Sequence, residues 1–366
     1  MSEETRDIDL VLITGAGAST KFGNPNADGH ASATLPLMED WSDSLIKKLG
    51  GSLSQGPELV GLSRGLEGPE FERRLGRFLS LSQMFPDLKP ILEPSVRSSN
   101  DPILESKLPD WHMRTQSRLL QCVQLIHESL YENFAWERTL PSAARAAYGR
   151  LFQALGVSPP QRLVYATTNY DSLGESAVDS LGWRVDVGER TDYHGPGVSG
   201  EIRVDPEGLL DGMPRYAPVF HLHGALGWYR RPADQVPIVG NAKTFDKDMG
   251  VPLIMLPDPN KNYTVEPVIE SLWGQFRKAL GFAKRVFVLG HSLNDMALVE
   301  ALQERVEPLS RIGVGLLADD NGGFDPSAGP LLEKVREVLP QAGIIPVRFE
   351  EAPVIGEQLS QWLERQ

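Results

Sequence analysis

The chain has almost no cysteine. Cys122 stands alone among 366 residues, so neither an internal disulfide nor a cysteine-rich zinc site can form. Long apolar runs are missing too, and none approaches the roughly 18 residues of a membrane span. The opening stretch, MSEETRDIDLVLITGAG, lacks the positive start and extended apolar core of a secretory signal. The cytoplasm is therefore the expected compartment, and no membrane partner is expected. Positive charge is scarce: 36 Lys and Arg stand against 49 Asp and Glu, a formal charge of −13. On average that repels phosphate, so direct nucleic-acid binding is not expected. Internal repeats and low-complexity tracts are also missing.

What is present is ordinary globular composition, 41% hydrophobic and 23% charged. A chain this long buries on the order of 75% of its unfolded surface, so its core needs no covalent staples. Its length suits one large domain with an insertion, or two domains. Short apolar runs punctuate it: 9–14, 163–168, 219–222, 253–256, 286–289, 312–317 and 344–347. They do not alternate cleanly with polar residues, which suits strands covered on both faces. Helical spacing lies between them. Pro36 opens one helix, with Leu37, Trp41 and Leu45 every fourth residue and Gly50-Gly51 as its end. Leu119, Val123, Ile126, Leu130 and Phe134 mark a second within 111–134. A third follows Pro141 and ends near Gly156, and later ones span about 266–282, 294–306 and 329–338. The alternation predicts an α/β fold with a Rossmann-like doubly wound parallel sheet. Residues 35–156 offer helices and no convincing strand, and read as a helical module inserted after the first strand. The stretch 185–218, rich in Gly, Pro and Asp, reads as a long loop with room for a hairpin.

Four polar turns follow strands. Gly15-Ala16-Gly17-Ala18-Ser19 is either a plain tight turn or a nucleotide loop, in which free amides and a serine hydroxyl cradle an anion. It is neither a full dinucleotide fingerprint, since Thr20 stands where a third glycine would, nor a P-loop. Thr167-Thr168-Asn169-Tyr170-Asp171 either builds a site or caps the next helix. His221-Leu222-His223-Gly224 offers a general base or a structural histidine; metal ligation has no supporting partner motif. Gly290-His291-Ser292-Leu293-Asn294-Asp295 opens another helix, with Asn294 or Asp295 as a cap. Strand ends in open α/β sheets are where ligands bind, so the four turns point to one site.

In that order, Gly-Ala-Gly-Ala-Ser (15–19), Thr-Asn-Tyr-Asp (168–171), His-Gly (223–224) and Gly-His-Ser-Leu-Asn-Asp (290–295) resemble the motifs of the sirtuin superfamily. The likeness is closer to the sirtuin-like NAD-consuming proteins of bacterial antiviral defence. It spans about residues 15–320 and implies a single NAD-binding domain over 1–366. It further implies that Gly15, Ala16, Gly17, Ser19 and Thr168, with Gly290 and Ser292, hold the dinucleotide. By the same likeness Asn169 orients a water at the nicotinamide ribose, Asp171 contacts the nicotinamide end, and His223 is the general base. One departure decides the subclass. Deacylases carry a four-cysteine zinc module after His-Gly, whereas 225–263 holds no cysteine. No zinc and no cofactor beyond NAD+ as substrate are expected. The reading that results is an NAD+ hydrolase giving nicotinamide and ADP-ribose, a defence effector that is a homo-oligomer or is controlled by a partner such as a hexameric ATPase. The rival is a non-catalytic nucleotide-binding regulator or assembly scaffold, with protein deacylation behind it.

Overall fold

The computed structural model describes residues 7–19, 102–135, 142–191, 202–231, 237–255, 266–305, 311–348 and 357–364, with single positions at 41, 44, 45, 47, 48, 74, 75 and 263. Strand β1 (Leu10–Thr14) opens the fold, followed by helices α1 (Pro102–Phe134) and α2 (Ser142–Ala154). Strand β2 (Leu163–Thr167) and helix α3 (Leu173–Ser180) come next. Then follow β3 (Val185–Asp186), β4 (Glu189–Thr191), β5 (Ile202–Val204), β6 (Ala217–His221), β7 (Gly224–Arg230), β8 (Ile238–Val239) and β9 (Val251–Ile254). The remainder alternates: α4 (Pro267–Phe282), β10 (Val286–Leu289), α5 (Met296–Arg305), β11 (Ile312–Leu317), α6 (Gly329–Val338), β12 (Gly343–Val347) and α7 (Glu357–Glu364).

Seven strands form one sheet in the order β12-β11-β10-β1-β2-β6-β3, and every pairing in it is parallel. Strands β1, β2 and β6 are buried along their whole length, because both faces are covered. Successive side chains go to opposite faces. Val11, Ile13, Val164, Phe220, Val286, Val288 and Val314 share a core with α4, α5 and α6. Leu10, Leu12, Leu163, Tyr165, Val219, Phe287 and Leu289 share the other with α2, α3 and α7. The fold is therefore α/β, Rossmann-like and doubly wound.

A second sheet, antiparallel and ordered β4-β5-β8-β7-β9, is one the apolar pattern did not predict. The run at 253–256 read as one more buried strand of the main sheet; instead β9 pairs with β7. The stretch 185–218, expected to be a long loop with room for a hairpin, carries β3, the antiparallel pair β4–β5 and a 3-10 turn at Leu209–Gly212.

The chain divides into two compact units, one of residues 1–35, 134–255 and 262–366, the other of 36–133 and 256–261. In the second, Trp41, Leu45 and Leu75 are buried, as are Cys122, Ile126 and Leu130 of α1. The Trp41 indole donates to Ser129 Oγ at 3.0 Å. The expected module ran on to 156, but α2 belongs to the first unit, where Tyr148, Leu151 and Phe152 pack under the parallel sheet. Leu37 and Gly50-Gly51 of the expected first helix lie outside the described residues.

Helix α3 comes unusually close to that sheet. A Cβ on Gly174 would fall 1.7 Å from Tyr165 Oη, and that hydroxyl is tied to Thr14 Oγ1 at 2.5 Å. The ring cannot retreat without breaking the link between β1 and β2. Gly174→Ala is expected to lower the unfolding free energy by about 3 kcal/mol, read from urea denaturation by circular dichroism; a loss too small to measure would show that α3 can lift away.

Candidate functional site

The sheet order reverses between β1 and β10: β2 and β6 extend it on one side of β1, and β10, β11 and β12 on the other. In open parallel sheets, ligands bind beyond the carboxyl ends at such a reversal. The turns after β1 and β10 meet there. Gly15 N–H donates to the Leu289 carbonyl at 3.0 Å and Gly17 N–H to that of Gly290 at 2.9 Å. A Cβ on Gly15 would lie 2.6 Å from Gly290 O, and one on Gly290, whose φ is +63°, would lie 2.2 Å from Ala18 N. The glycines at 15, 17 and 290 thus answer to one another's backbones.

Most of the amides of this turn are bonded within the protein. Residues 16–18 form a 3-10 turn, with Ala18 N–H on Gly15 O and Ser19 N–H on Ala16 O. Four amides of the turn, at 15, 17, 18 and 19, are committed internally. The glycines that suggested a phosphate loop permit a tight junction of two strand ends.

Asn169 is fastened to the same turn. Its Nδ2 donates to the Gly15 carbonyl at 3.1 Å and to Ser19 Oγ at 3.0 Å, and its own N–H donates to Thr167 Oγ1 at 3.0 Å. The side chain is 8% exposed, and among the described residues nothing donates to Oδ1. Thr168 N–H donates to the Thr14 carbonyl at 3.1 Å, extending the β1–β2 ladder. Ser292 is exposed beyond β10. His291 Nδ1 accepts the Leu293 N–H at 2.9 Å and closes a turn in which the buried Leu293 is held at φ +54°. Left-handed backbone at a leucine is costly, and a packed neighbourhood is needed to keep it.

The two histidines of His-Leu-His meet different partners: residues two apart share one face of a continuous strand, but β6 ends at His221 and the chain turns before β7 begins at Gly224. His223 Nε2 lies 2.7 Å from Asp295 Oδ2, which also accepts the Tyr263 hydroxyl at 2.6 Å. Asp295 Oδ1 accepts the Ala297 N–H at 3.0 Å, so one carboxylate caps α5 and orients an imidazole. Burial, followed by the nearby Asp295 charge, pushes the Tyr263 phenol up, and it stays protonated. With Nε2–H given to Asp295, the basic nitrogen of His223 is Nδ1.

His221 Nε2 lies 2.8 Å from Glu175 Oε2 in the first turn of α3. Asp171 Oδ1 accepts the Leu173 N–H at 2.9 Å and begins that helix. Burial raises the Asp171 carboxyl to about 6; the Leu173 amide and His221 oppose the rise, and Glu175 adds to it. Asp171 and His221 line a cavity of about 930 Å³ between α3 and the antiparallel sheet, together with Glu175, Trp228 and Lys243. Gly15, Asn169 and His223 are not part of its wall.

The structure thus joins Gly15, Gly17, Ser19, Asn169 and Gly290 in one network, sets His223 on Asp295, and sets Asp171 beside His221. Sequence reasoning missed Glu175 and Tyr263 and saw Asp295 only as a cap. Glu175 had one available signal, an acid in the first turn of the helix that Asp171 begins. Tyr263 had none. Among the described residues no group of three or more His, Cys, Asp or Glu is placed to hold a metal ion. No helix among them is long and apolar enough to cross a membrane. Compared with known proteins, the chain matches no family model and no curated sequence.

Burial works against a charged His221, but the Glu175 carboxylate, Asp171 and the Asn169 carbonyl outweigh it and hold its pKa above the ordinary value. A histidine whose folded pKa is raised contributes stability in full below its unfolded pKa of about 6.5, and loses it as pH climbs through the folded value. Glu175→Gln is therefore expected to cost about 1–2 kcal/mol near pH 6 and progressively less toward about pH 9. Urea melts across that range measure it; a cost that does not vary with pH would mean the pair is uncharged.

Proposed function

We propose that the chain is an NAD+ hydrolase cleaving the bond between nicotinamide and ribose. The observation that supports this best is the meeting of the β1, β2 and β10 turns at the reversal of the sheet, with Asn169 Nδ2 spent on the turn. That leaves Oδ1 to accept a hydrogen bond from a bound water. Nicotinamide departs neutral from a cationic pyridinium, so the sugar passes through an oxocarbenium-like state. A held water adds to C1′, and its proton leaves to His223 Nδ1. The water's oxygen stays on ADP-ribose, and the electron pair of the broken bond goes with nicotinamide. Positioning contributes several kcal/mol and proton transfer about 10²–10⁴-fold. Asp295 and Tyr263 are positioning residues, since they act on the ring of His223 and not on the dinucleotide. As a defence effector the chain would be held silent until it assembles or meets a partner.

A second reading has an observation of its own. The internally bonded amides of residues 15, 17, 18 and 19 suit a non-catalytic nucleotide-binding regulator, whose turn serves chiefly to fix the fold. Calorimetry with NAD+ separates the two: heat of binding without nicotinamide release favours the regulator.

Nicotinamide release, followed by chromatography over a range of protein concentrations, is expected from the wild type. It is expected to fall by at least about 10²-fold in both Asn169→Ala and His223→Ala. Wild-type rates in purified His223→Ala would overturn the catalytic assignment. Asp295→Asn keeps an acceptor for the α5 amides but weakens the hold on the ring. It is expected to lower kcat about tenfold with little change in KM and to shift the pH–rate profile; a change in KM alone would remove the positioning role.

A further inference from the structure

Tyr170 stands between Asn169 and Asp171, and the chemistry proposed above gives it no part. It is buried, with the Phe134 ring edge-on at a centroid distance of 6.1 Å. A ring in that place needs only apolar neighbours, which phenylalanine would satisfy as well. A buried phenol also needs a partner for its hydroxyl. Here the hydroxyl donates to the Met255 carbonyl at 3.0 Å.

Met255 directly follows β9, and its own N–H donates to the His223 carbonyl at 2.7 Å. One residue thus takes the tyrosine on one side and holds the histidine on the other. The chain at His223 is pressed close to β9. A Cβ on the next residue, Gly224, whose φ is +77°, would lie 1.9 Å from the Leu253 carbonyl oxygen.

The main chain adds two rungs. Leu222 N–H donates to the Thr167 carbonyl at 2.9 Å, and Leu226 N–H to the Tyr170 carbonyl at 3.2 Å. Segments 167–170 and 222–226 are therefore fastened to each other at both ends, with Asn169 and His223 between the fastenings. Rungs of that kind can be made by any residue. The hydroxyl of Tyr170 is a connection that only a side chain supplies, and it leads through Met255 to His223 itself.

We propose that Tyr170 is a positioning residue, whose hydroxyl holds Met255 and so sets where His223 stands relative to Asn169. The role rests on the hydrolase reading, in which Asn169 holds the water and His223 takes its proton. Proton transfer between a held water and a base is sensitive to their separation, and a misplacement of about 1 Å can cost about 10²-fold. Dinucleotide binding does not depend on that separation in the same way.

The test compares Tyr170→Phe with the wild type, alone and combined with His223→Ala. Tyr170→Phe keeps the ring and removes the hydroxyl. It is expected to lower kcat for nicotinamide release about tenfold, with KM unchanged and with NAD+ still bound at the wild-type stoichiometry by calorimetry. In the His223→Ala background no base remains to be placed, so the second change is expected to alter the residual rate by less than about twofold. Installing 4-aminophenylalanine at position 170, which restores a donor at the end of the ring, is expected to recover most of the lost rate. Wild-type kcat in Tyr170→Phe, the same tenfold loss in both backgrounds, no recovery with the amino group, or a Tyr170→Phe protein that does not fold would each overturn the positioning role while leaving the hydrolase reading in place. A wild type that releases no nicotinamide at any protein concentration would remove the hydrolase reading and this role with it.

Discussion

Three stretches of backbone meet where no side chain fits. The Gly15 and Gly17 turn after β1 lies against the Gly290 turn after β10, and a methyl group on any of the three would sit 3.1 Å or less from the other's main chain. Two hydrogen bonds close the junction, and Asn169 ties the end of β2 to it. Because β1 and β10 are neighbours at the reversal of the sheet, this contact fixes the floor of the region where a ligand of an open α/β sheet binds. The glycines are there for close approach first. Any ligand takes its place around a turn already closed.

Around that floor the chain spends its buried polar groups in pairs. Each histidine of His221-Leu222-His223 is matched with a carboxylate at the start of a different helix, Glu175 in the first turn of α3 and Asp295 at the beginning of α5. Acidic groups are favoured at helix amino termini. Burial decides how each pair behaves. Asp171, enclosed and next to Glu175, is held partly protonated near neutrality, whereas the phenol of Tyr263 stays neutral and donates. The cluster is therefore a balance of burial against partner charge, not a set of independent residues.

Much of the parallel sheet was legible because its strands are short, continuous and apolar. β1, β2, β10, β11 and β12 fall within a residue or two of the runs that predicted them. The antiparallel sheet was not legible. Its strands are as short as two residues, as in β8, or are interrupted by polar positions, as in Glu189–Thr191. Pairings of that kind are set by distant partners and leave little local pattern. The site divides in the same way. Asn169, His223 and the glycine turn stood out because they follow apolar strands. Glu175 and Tyr263 reach their places by tertiary contact, at separations of 46 and 32 residues from the groups they meet. The glycines signalled close backbone approach, and within the chain the backbone that approaches Gly15 and Gly17 is that of Gly290.

The passage from the parallel sheet to the antiparallel one is short: β6 ends at His221 and β7 begins at Gly224. Leu222 is still bonded to Thr167 of β2, and the His223 carbonyl already accepts from Met255 beyond β9. A hinge made of so few rotatable bonds has no slack. Tilting one layer against the other must re-aim the imidazole at its centre, which makes the His223–Asp295 alignment a mechanical gauge of how the two layers are seated.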